Sequence, residues 1–184
     1  MTHEDRLIKQ IKTGNRECLD ELIAIYYPAI LRYCLWHMPD RESAQDATQE
    51  TFLKLMRFID RYEHRGQFRA FLYQIAANTC IDIIRNIPTA ELSSDTETET
   101  ARAKRYWQTA CYAEKGFTIA EDRQQLAAAF ACLNDVQREL VLLRYGQELT
   151  MREISMVTEI SLRTVQTKLR RALIKMKKAL DDEN

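Results

Sequence analysis

The sequence predicts an all-α protein, and two observations support this. Only 4 Gly and 3 Pro occur in 184 residues, so the chain offers few of the turn signals that strands need. Apolar residues recur at helical spacing through residues 3 to 87 and again from about 119 to 180. We therefore expect two small helical domains.

The helical pattern breaks between these two zones. It stops at Pro88, and the hydroxyl-rich, acidic stretch "TAELSSDTETETA" follows, which cannot bury a core. The next stretch, "RYWQTACY", is aromatic and either packs on a neighbouring domain or binds a partner. We predict domains over 1–87 and 119–184, joined by a flexible linker over 88–118.

Composition limits the class of protein. With 46% hydrophobic and 29% charged residues, and 27 basic against 27 acidic side chains, the chain has the profile of a neutral globular protein. No apolar run approaches the roughly 18 residues that cross a bilayer, and the charged start "MTHEDRLIKQIKTG" is not a signal peptide. We expect a cytoplasmic protein without membrane insertion.

The sequence gives no sign of catalysis or of a cofactor. The five cysteines never form C-x-x-C, so we expect free, mostly buried thiols. Cys34 and His37 lie one helical turn apart, but two ligands do not make a zinc site. Phosphate-binding glycine loops and hydrolase motifs are missing from the sequence. We expect no catalytic residues, no metal and no cofactor.

The stretch "DRESAQDATQETFLKLMRFIDRY", residues 40–62, predicts an amphipathic helix. Its expected core side carries Ala47, Thr51, Phe52, Leu55, Phe58 and Ile59. The opposite side carries Asp46, Gln49, Glu50, Leu53, Lys54 and Arg57. Such a stripe is usually just solvated, but an apolar Leu53 in its middle favours a contact with another protein.

The helix that follows the Gly66 turn is apolar on almost every side, which indicates the centre of its domain. Its narrow polar strip holds Gln74, Asn78 and Arg85, with Phe71 beside it. Amides and guanidinium groups contact bases and phosphates in nucleic-acid complexes, although polar positions also occur by chance on core helices.

The C-terminal zone predicts a helix-turn-helix. Asn134 or Asp135 can cap a first helix, which ends before Gly146. Thr150 and Glu153 form a capping-box pattern that begins the next helix, and Ser161 caps the last one.

The last helix separates a core stripe from a basic face. The expected core residues are Val165, Leu169, Ala172, Leu173 and Met176. The opposite face has Arg163, Thr167, Arg170 and Arg171, flanked by Thr164, Gln166 and Lys168. A second helix with such a face enters the major groove in helix-turn-helix proteins. The plain alternative is a basic helix that matches its own dipole.

Both zones resemble known regions of one family. "DATQETFLKL" followed by "FRAFLYQIAANTCIDIIR" resembles region 2 of bacterial RNA polymerase sigma factors, above all the extracytoplasmic-function group. "LNDVQRELVLL", "TMREIS" and "TVQTKLRRA" resemble region 4. Together they cover about three quarters of the chain, in the order of the family.

The resemblance implies a role for each face. The stripe on the first helix would dock on the clamp helices of the polymerase largest subunit. A second contact would be with the flap of the second-largest subunit. Recognition and melting of the −10 element would involve Arg65, Phe68, Arg69, Phe71, Gln74, Asn78 and Arg85. Recognition of the −35 element would involve Arg163, Thr164, Gln166, Thr167, Lys168, Arg170 and Arg171.

In region 2, two positions depart from the family pattern: Phe71 stands where Trp is usual, and Gln74 where Arg is usual. The second change removes an expected phosphate contact. The acidic linker would lie in the polymerase channels, where it either mimics nucleic acid or stays off DNA.

The resemblance implies a sigma factor that binds core polymerase and promoter DNA, directs promoter-specific initiation and has no catalysis of its own. Members of the family usually have an anti-sigma factor, which is a further candidate partner. The alternative is a stand-alone helix-turn-helix regulator, which would need no polymerase-docking stripe.

Overall fold

A computed structural model describes residues 3–63, 66–86, 126 and 128–182. The predicted linker over 88–118 lies outside the described residues. Every regular element in the described part is helical, which confirms the predicted fold class. The chain divides into two compact units, Met1–Asn86 and Ile87–Asn184.

The N-terminal unit contains four helices. They are α1 His3–Lys12, α2 Arg16–His37, α3 Arg41–Phe58 and α4 Phe68–Asn86. The long helix α2 packs against each of the other three, and α3 also packs against α4. The unit is therefore organised around α2 and the pair that α3 and α4 make with it.

Short polar side chains fix where these helices begin. The Asn15 side chain accepts from the Glu17 backbone N–H at the start of α2. The Asp40 carboxylate accepts from the Ser43 N–H at 2.7 Å at the start of α3. Each cap satisfies a backbone donor that the first turn of a helix leaves free.

Aromatic and aliphatic side chains fill the core of this unit. Tyr33 of α2 meets Tyr73 of α4 edge-on, with ring centroids 5.5 Å apart. Thr48 and Thr51 of α3 are fully buried, and their hydroxyls donate to the carbonyls four residues earlier, each at 2.7 Å. These bonds satisfy the buried hydroxyls, which would otherwise destabilise the core.

Two thiols meet inside this core. The Cys80 thiol donates to Cys34 Sγ at 3.9 Å, and both residues are buried. This hydrogen bond lowers the pKa of Cys34, against the raising effect of burial. In the described part of the chain, the cysteines are free, as expected.

The described part of the C-terminal unit is a helical bundle. After a helical turn at 128–131 come α5 Asp135–Val141, a π-helical turn Leu142–Gly146, α6 Met151–Thr158 and α7 Leu162–Asp182. The long α7 packs against both α5 and α6. The first helix was expected to continue through Leu143 and Arg144, but it widens into the π-helical turn at Leu142.

Side-chain hydrogen bonds close the helix ends of this unit. Asn134, rather than Asp135, caps α5 and forms a capping box with Gln137. The predicted capping box at Thr150 and Glu153 is present at the start of α6. The helix ends are thus set by the sequence immediately around them.

Two arginine side chains form hydrogen bonds near the two ends of α5. Arg138 is buried, and it donates to the Leu133 carbonyl at 2.6 Å and to the Asp135 carboxylate at 3.2 Å. Arg144 donates to the Leu149 carbonyl at 2.9 Å across the turn before α6. These contacts fix the path of the chain into the helix-turn-helix.

No helix among the described residues combines the length and the apolar character needed to cross a membrane.

The capping box of α6 leads to a stability prediction. Thr150→Ala removes a cap at the start of the helix, so we expect the free energy of unfolding of the C-terminal unit to fall by about 1 kcal/mol. Urea unfolding followed by hydrogen-exchange mass spectrometry of peptides from 150–182 measures it. The matched control is Thr158→Ala on the same helix, where the hydroxyl bonds only to the Ile154 carbonyl. We expect a change within about 0.5 kcal/mol there. Equal effects of the two changes would contradict the capping role.

Candidate nucleic-acid interface

The turn between α6 and α7 sets the direction of the basic helix. Glu159 reverses the chain with φ 57°, in the left-handed region, directly after α6. Ser155 Oγ donates to the Ile160 carbonyl at 2.6 Å across this turn. Ser161 then accepts from the Thr164 N–H at 3.3 Å as the cap of α7. The turn is short and internally bonded, as a helix-turn-helix requires.

The basic face of α7 is exposed where the sequence predicted it. Arg163, Gln166, Thr167, Arg170 and Arg171 are exposed. At 1.5 Å per residue, the segment from Arg163 to Arg171 spans about 12 Å, which is about the width of a major groove.

The two flanking residues are less available. Thr164 and Lys168 are half-buried, and the Thr164 hydroxyl lies 2.8 Å from Ser161 Oγ. Thr167, which is exposed, uses its hydroxyl to donate to the Arg163 carbonyl at 2.9 Å. The side chains with free donors on this face are therefore mainly the arginines and Gln166.

An apolar groove borders this basic face. Of the predicted core stripe, Val165, Leu169, Ala172 and Met176 are buried, but Leu173 is 38% exposed. It belongs instead to a groove of about 350 Å³ whose lining residues are Tyr145, Met151, Gln166, Leu169, Arg170, Leu173, Ile174 and Lys177.

This groove was not predicted from the sequence. The residue that could have indicated the groove in the sequence is Ile174. This apolar residue falls on the polar side of α7, where it is 60% exposed. Tyr145, at 56% exposure, comes from the π-helical turn, whose geometry the sequence did not predict.

The stripe on α3 is at the surface. Asp46, Gln49, Leu53 and Arg57 are exposed, and Glu50 and Lys54 are half-buried. Lys54 donates to the Asp82 carboxylate of α4 at 3.0 Å, so part of the stripe is tied to the neighbouring helix. Leu53 at 44% and Met56 at 39% exposure give this polar surface an apolar component.

The core side of α3 differs from the prediction at one residue. Phe58 is 45% exposed, whereas Phe52, Leu55 and Ile59 are buried. Phe58 is the last residue of α3. The exposed ring adds to the apolar surface at the end of α3.

The polar strip of α4 is only partly open. Asn78 and Arg85 are exposed, whereas Arg69, Phe71 and Gln74 are half-buried. The Phe71 ring stacks on Tyr62, with centroids 4.6 Å apart. Arg65 lies outside the described residues.

Phe68 is a correction to the predicted −10 set. Its side chain has no exposed surface and lies between Tyr26 and Tyr62, with ring centroids at 5.5 and 5.7 Å. A side chain enclosed in this way cannot contact DNA in this conformation. Phe68 is the first residue of α4, and it anchors the helix rather than reading a base.

In the described ranges, no three His, Cys, Asp or Glu side chains are grouped closely enough to hold a metal ion.

Family models match both units. Residues 22–87 match the model for sigma-70 region 2, and residues 123–176 match the model for sigma-70 region 4. Among related sequences is the ECF RNA polymerase sigma factor SigW of Bacillus subtilis, 27% identical over 178 residues that cover 95% of each chain. RNA polymerase sigma factor YlaC of the same organism is 29% identical over 164 residues, covering 89% of this chain and 92% of its own.

Two solved structures share the fold. CnrH, in complex with the cytosolic domain of CnrY, has a TM-score of 0.67 at 20% identity and matches over 97% of both chains. The sigma factor RpoE of Bartonella quintana, in complex with the anti-sigma factor NepR, has a TM-score of 0.60 at 17% identity. That match covers 90% of this chain and 98% of RpoE.

The burial of Phe68 can be tested by stability. We expect Phe68→Ala to lower the free energy of unfolding of the N-terminal unit by about 3–5 kcal/mol, because it leaves a cavity in the core. Phe58→Ala is the matched control, since the same ring is removed from a half-exposed site, and we expect a cost of about 1 kcal/mol or less. Thermal denaturation followed by circular dichroism compares them. If both variants melted like the parent protein, Phe68 would not be a core residue.

Proposed function

Because the chain belongs to the sigma-70 family of RNA polymerase sigma factors, in its extracytoplasmic-function group, we propose that it directs promoter-specific transcription initiation. It binds core RNA polymerase, recognises −35 and −10 elements and helps to melt the −10 DNA. The observation that supports this most strongly is the presence of both regions in family order, each with exposed side chains suited to its partner.

The −35 element is read by α7. Arg163, Arg170 and Arg171 offer paired donors that match the acceptor edge of guanine, and Gln166 offers an amide that matches adenine. Lys177 and Lys178 are exposed further along the helix and lie where they would meet phosphates. The stiff, capped turn before α7 holds these donors at a fixed angle to the groove.

The −10 element is recognised by the N-terminal unit. Asn78 and Arg85 are the exposed members of the expected set, with Arg69, Phe71 and Gln74 partly accessible beside them. A flipped base would be bound by an amide and by aromatic stacking, which together offset the cost of unstacking. The expected role of Arg65 in this step stays a prediction.

Core polymerase is bound by the α3 stripe. Asp46 and Gln49 supply charge and hydrogen-bonding groups, and Leu53 supplies an apolar contact at the centre. This combination is typical of a protein interface rather than of a solvated helix face. We propose the clamp helices of the largest subunit as its partner.

The groove beside α7 is the surface we propose for the second polymerase contact. Its apolar floor, with the exposed Tyr145 and Ile174, suits an apolar segment of the flap of the second-largest subunit. Gln166 and Arg170 line the groove and also belong to the −35 face, so polymerase and DNA would meet along one edge of α7.

The remaining assignments follow from the same family. We propose residues 1–87 for polymerase binding and −10 melting, 119–184 for −35 recognition and 88–118 as the connector. The chain would work in the cytoplasm without catalysing a reaction itself. An anti-sigma factor is a further partner, since CnrH and RpoE were solved in complexes with CnrY and with the anti-sigma factor NepR.

This function is tested in two steps. The first is a pull-down with core polymerase. The second is run-off transcription from a promoter that has been selected with the reconstituted holoenzyme. We expect a stable complex and initiation at a defined start site. A chain that bound promoter DNA alone but formed no complex with polymerase would be the stand-alone regulator instead.

Arg171 gives the first functional prediction. Arg171→Ala should weaken binding to the selected −35 sequence by about 1–3 kcal/mol and relax the preference at one base pair, since a paired guanine contact is lost. Holoenzyme binding to promoter variants at each −35 position measures this. Lys178→Ala is the control, because loss of a phosphate contact weakens all sequences alike. An unchanged base preference in Arg171→Ala would remove that role.

The α3 stripe gives the second functional prediction. Asp46→Lys combined with Glu50→Lys should abolish the complex with core polymerase, because it reverses the charge of the stripe. The protein should stay folded, since Asp46 is exposed and Glu50 is only half-buried. The control is Glu17→Lys with Asp20→Lys, which makes the same charge change on the exposed side of α2. Affinity for core polymerase and thermal melting are measured for both. If only the α2 variant lost polymerase, the docking face would be misassigned.

A further inference from the structure

Two cysteines from different helices meet in the core of the N-terminal unit, and neither belongs to the exposed faces described above. Cys34 is in α2 and Cys80 is in α4, 46 positions later in the chain. The exposed fraction is 0% for Cys34 and 2% for Cys80, and their Sγ atoms are 3.9 Å apart. The packing of α2 against α4 is what brings these two thiols together.

The surroundings of Cys34 favour its thiolate, which is the form of cysteine that reacts with oxidants. The hydrogen bond that the Cys80 thiol donates to Cys34 Sγ has the largest effect, and it lowers the pKa of Cys34. Burial raises this pKa, whereas the side chains of Thr48 and His37 lower it further. Cys34 is therefore the nucleophile of the pair, and Cys80 already lies beside it as the second thiol.

A bond between the two sulfur atoms requires only a small movement. The Sγ atoms must approach each other by about 2 Å to reach bonding distance. Cys80 stands where the buried part of α4 meets its last turns, which are exposed at Ile81, Asp82 and Arg85. A small shift at this end of α4 therefore exposes little of the core.

We propose that Cys34 and Cys80 are a modification site at which a peroxide forms a reversible disulfide between α2 and α4, so that the stability of the N-terminal unit depends on oxidation. This inference goes beyond the proposed function and does not rest on it. The disulfide would be an addition to the protein's surfaces for polymerase and DNA, because both cysteines are buried.

The reaction needs one molecule of hydrogen peroxide for each bridge. The Cys34 thiolate attacks one oxygen and becomes a sulfenic acid, while the other oxygen leaves as hydroxide. The Cys80 sulfur then attacks the sulfenic sulfur, the S–S bond forms, and the hydroxyl group leaves with the Cys80 proton as water. The proton that Cys34 lost earlier joins the hydroxide as a second water. The two thiols thus lose two electrons, and the peroxide is reduced to two waters.

The bridge would stabilise the folded N-terminal unit. It joins residues 46 positions apart, which reduces the number of conformations of the unfolded chain. It also links α4 to α2, the helix that packs against each of the other three. We therefore expect the oxidised unit to open less often than the reduced unit.

The test uses the full chain with Cys18→Ala, Cys111→Ala and Cys132→Ala, which leaves only the proposed pair; Cys111 lies outside the described residues. After treatment with hydrogen peroxide at low protein concentration, mass spectrometry should find one linked peptide pair that joins Cys34 to Cys80. Dithiothreitol should remove this link. In the bridged chain, backbone amides of α2 and α4 should exchange at least about tenfold more slowly, whereas those of α7 should not change.

The matched control adds Cys80→Ala to the same chain, and Cys80→Ser serves if the alanine variant does not fold. Thermal melting under reducing conditions shows whether each variant is folded. Because the second thiol is gone, peroxide should produce no bridge within the chain and should leave the amide exchange of α2 unchanged.

A second comparison separates folded geometry from chance pairing. It uses a chain that keeps Cys18, which is also buried on α2 but donates to Gln10 Oε1 at 3.0 Å. In the folded protein, peroxide should link Cys34 to Cys80 rather than to Cys18. In urea, the link between Cys18 and Cys34 should be favoured by about fivefold, because the shorter loop closes more easily.

Four results would overturn the proposal. They are the absence of the linked peptide, a link that dithiothreitol does not reverse, the same pairing in the folded protein as in urea, and amide exchange that the bridge does not slow. The experiment contains no polymerase and no promoter. A chain that failed to bind polymerase would therefore overturn the proposed function and leave this inference standing.

Discussion

The burial of α4 against α2 and α3 is the contact on which the N-terminal unit depends. Phe68, Leu72 and Tyr73 are fully enclosed, so one side of α4 is buried along its first turns, whereas its last turns are exposed at Ile81, Ile84 and Arg85. The direction of Asn78 is fixed because the helix cannot rotate without exposing the core. The α3 stripe follows from the same packing, since α3 buries its threonine and alanine side and turns Asp46 and Leu53 outward. One core thus fixes the direction of both exposed surfaces.

The exposed faces of the C-terminal unit are also held in fixed directions, but by different contacts. In its described part, polar contacts do much of the positioning: the capping boxes at Asn134 and Thr150, the Arg138 contacts and the Ser155 bond across the turn. The helix α7 then offers a basic face and an apolar groove side by side. The helix α7 has seven basic and two acidic side chains, whereas α3 has three of each. The acid that makes the chain neutral therefore lies elsewhere in the sequence, as in the stretch over 91–99 with its four acidic residues.

Much of this architecture could be predicted from local sequence. Helical spacing and capping residues depend on neighbours within one or two turns, so the helix type, the Thr150 capping box and the exposed arginines of α7 were predicted correctly. Helical spacing also places Phe68 in the apolar stripe of α4, which agrees with its burial, but its contact with Tyr26, forty-two positions earlier, could not be predicted from spacing. The exposure of Phe58 and the π-helical turn at Leu142 also depend on where a helix stops, which spacing alone does not determine. The role expected for Phe68 in −10 recognition was implied by the resemblance to sigma region 2, and the burial of its side chain contradicts that role.

The reach of the polar contacts along the chain bears on the order of folding. The bonds that shape helix ends and turns join residues two to five positions apart in both units. The bonds between helices span 18, 22 and 28 positions in the N-terminal unit and 38 in the C-terminal unit. Short loops close at little entropic cost, whereas distant pairs must wait for the intervening chain to collapse. The caps and turns of each unit can therefore form early and locally, and the bonds between helices form only when the helices have packed together.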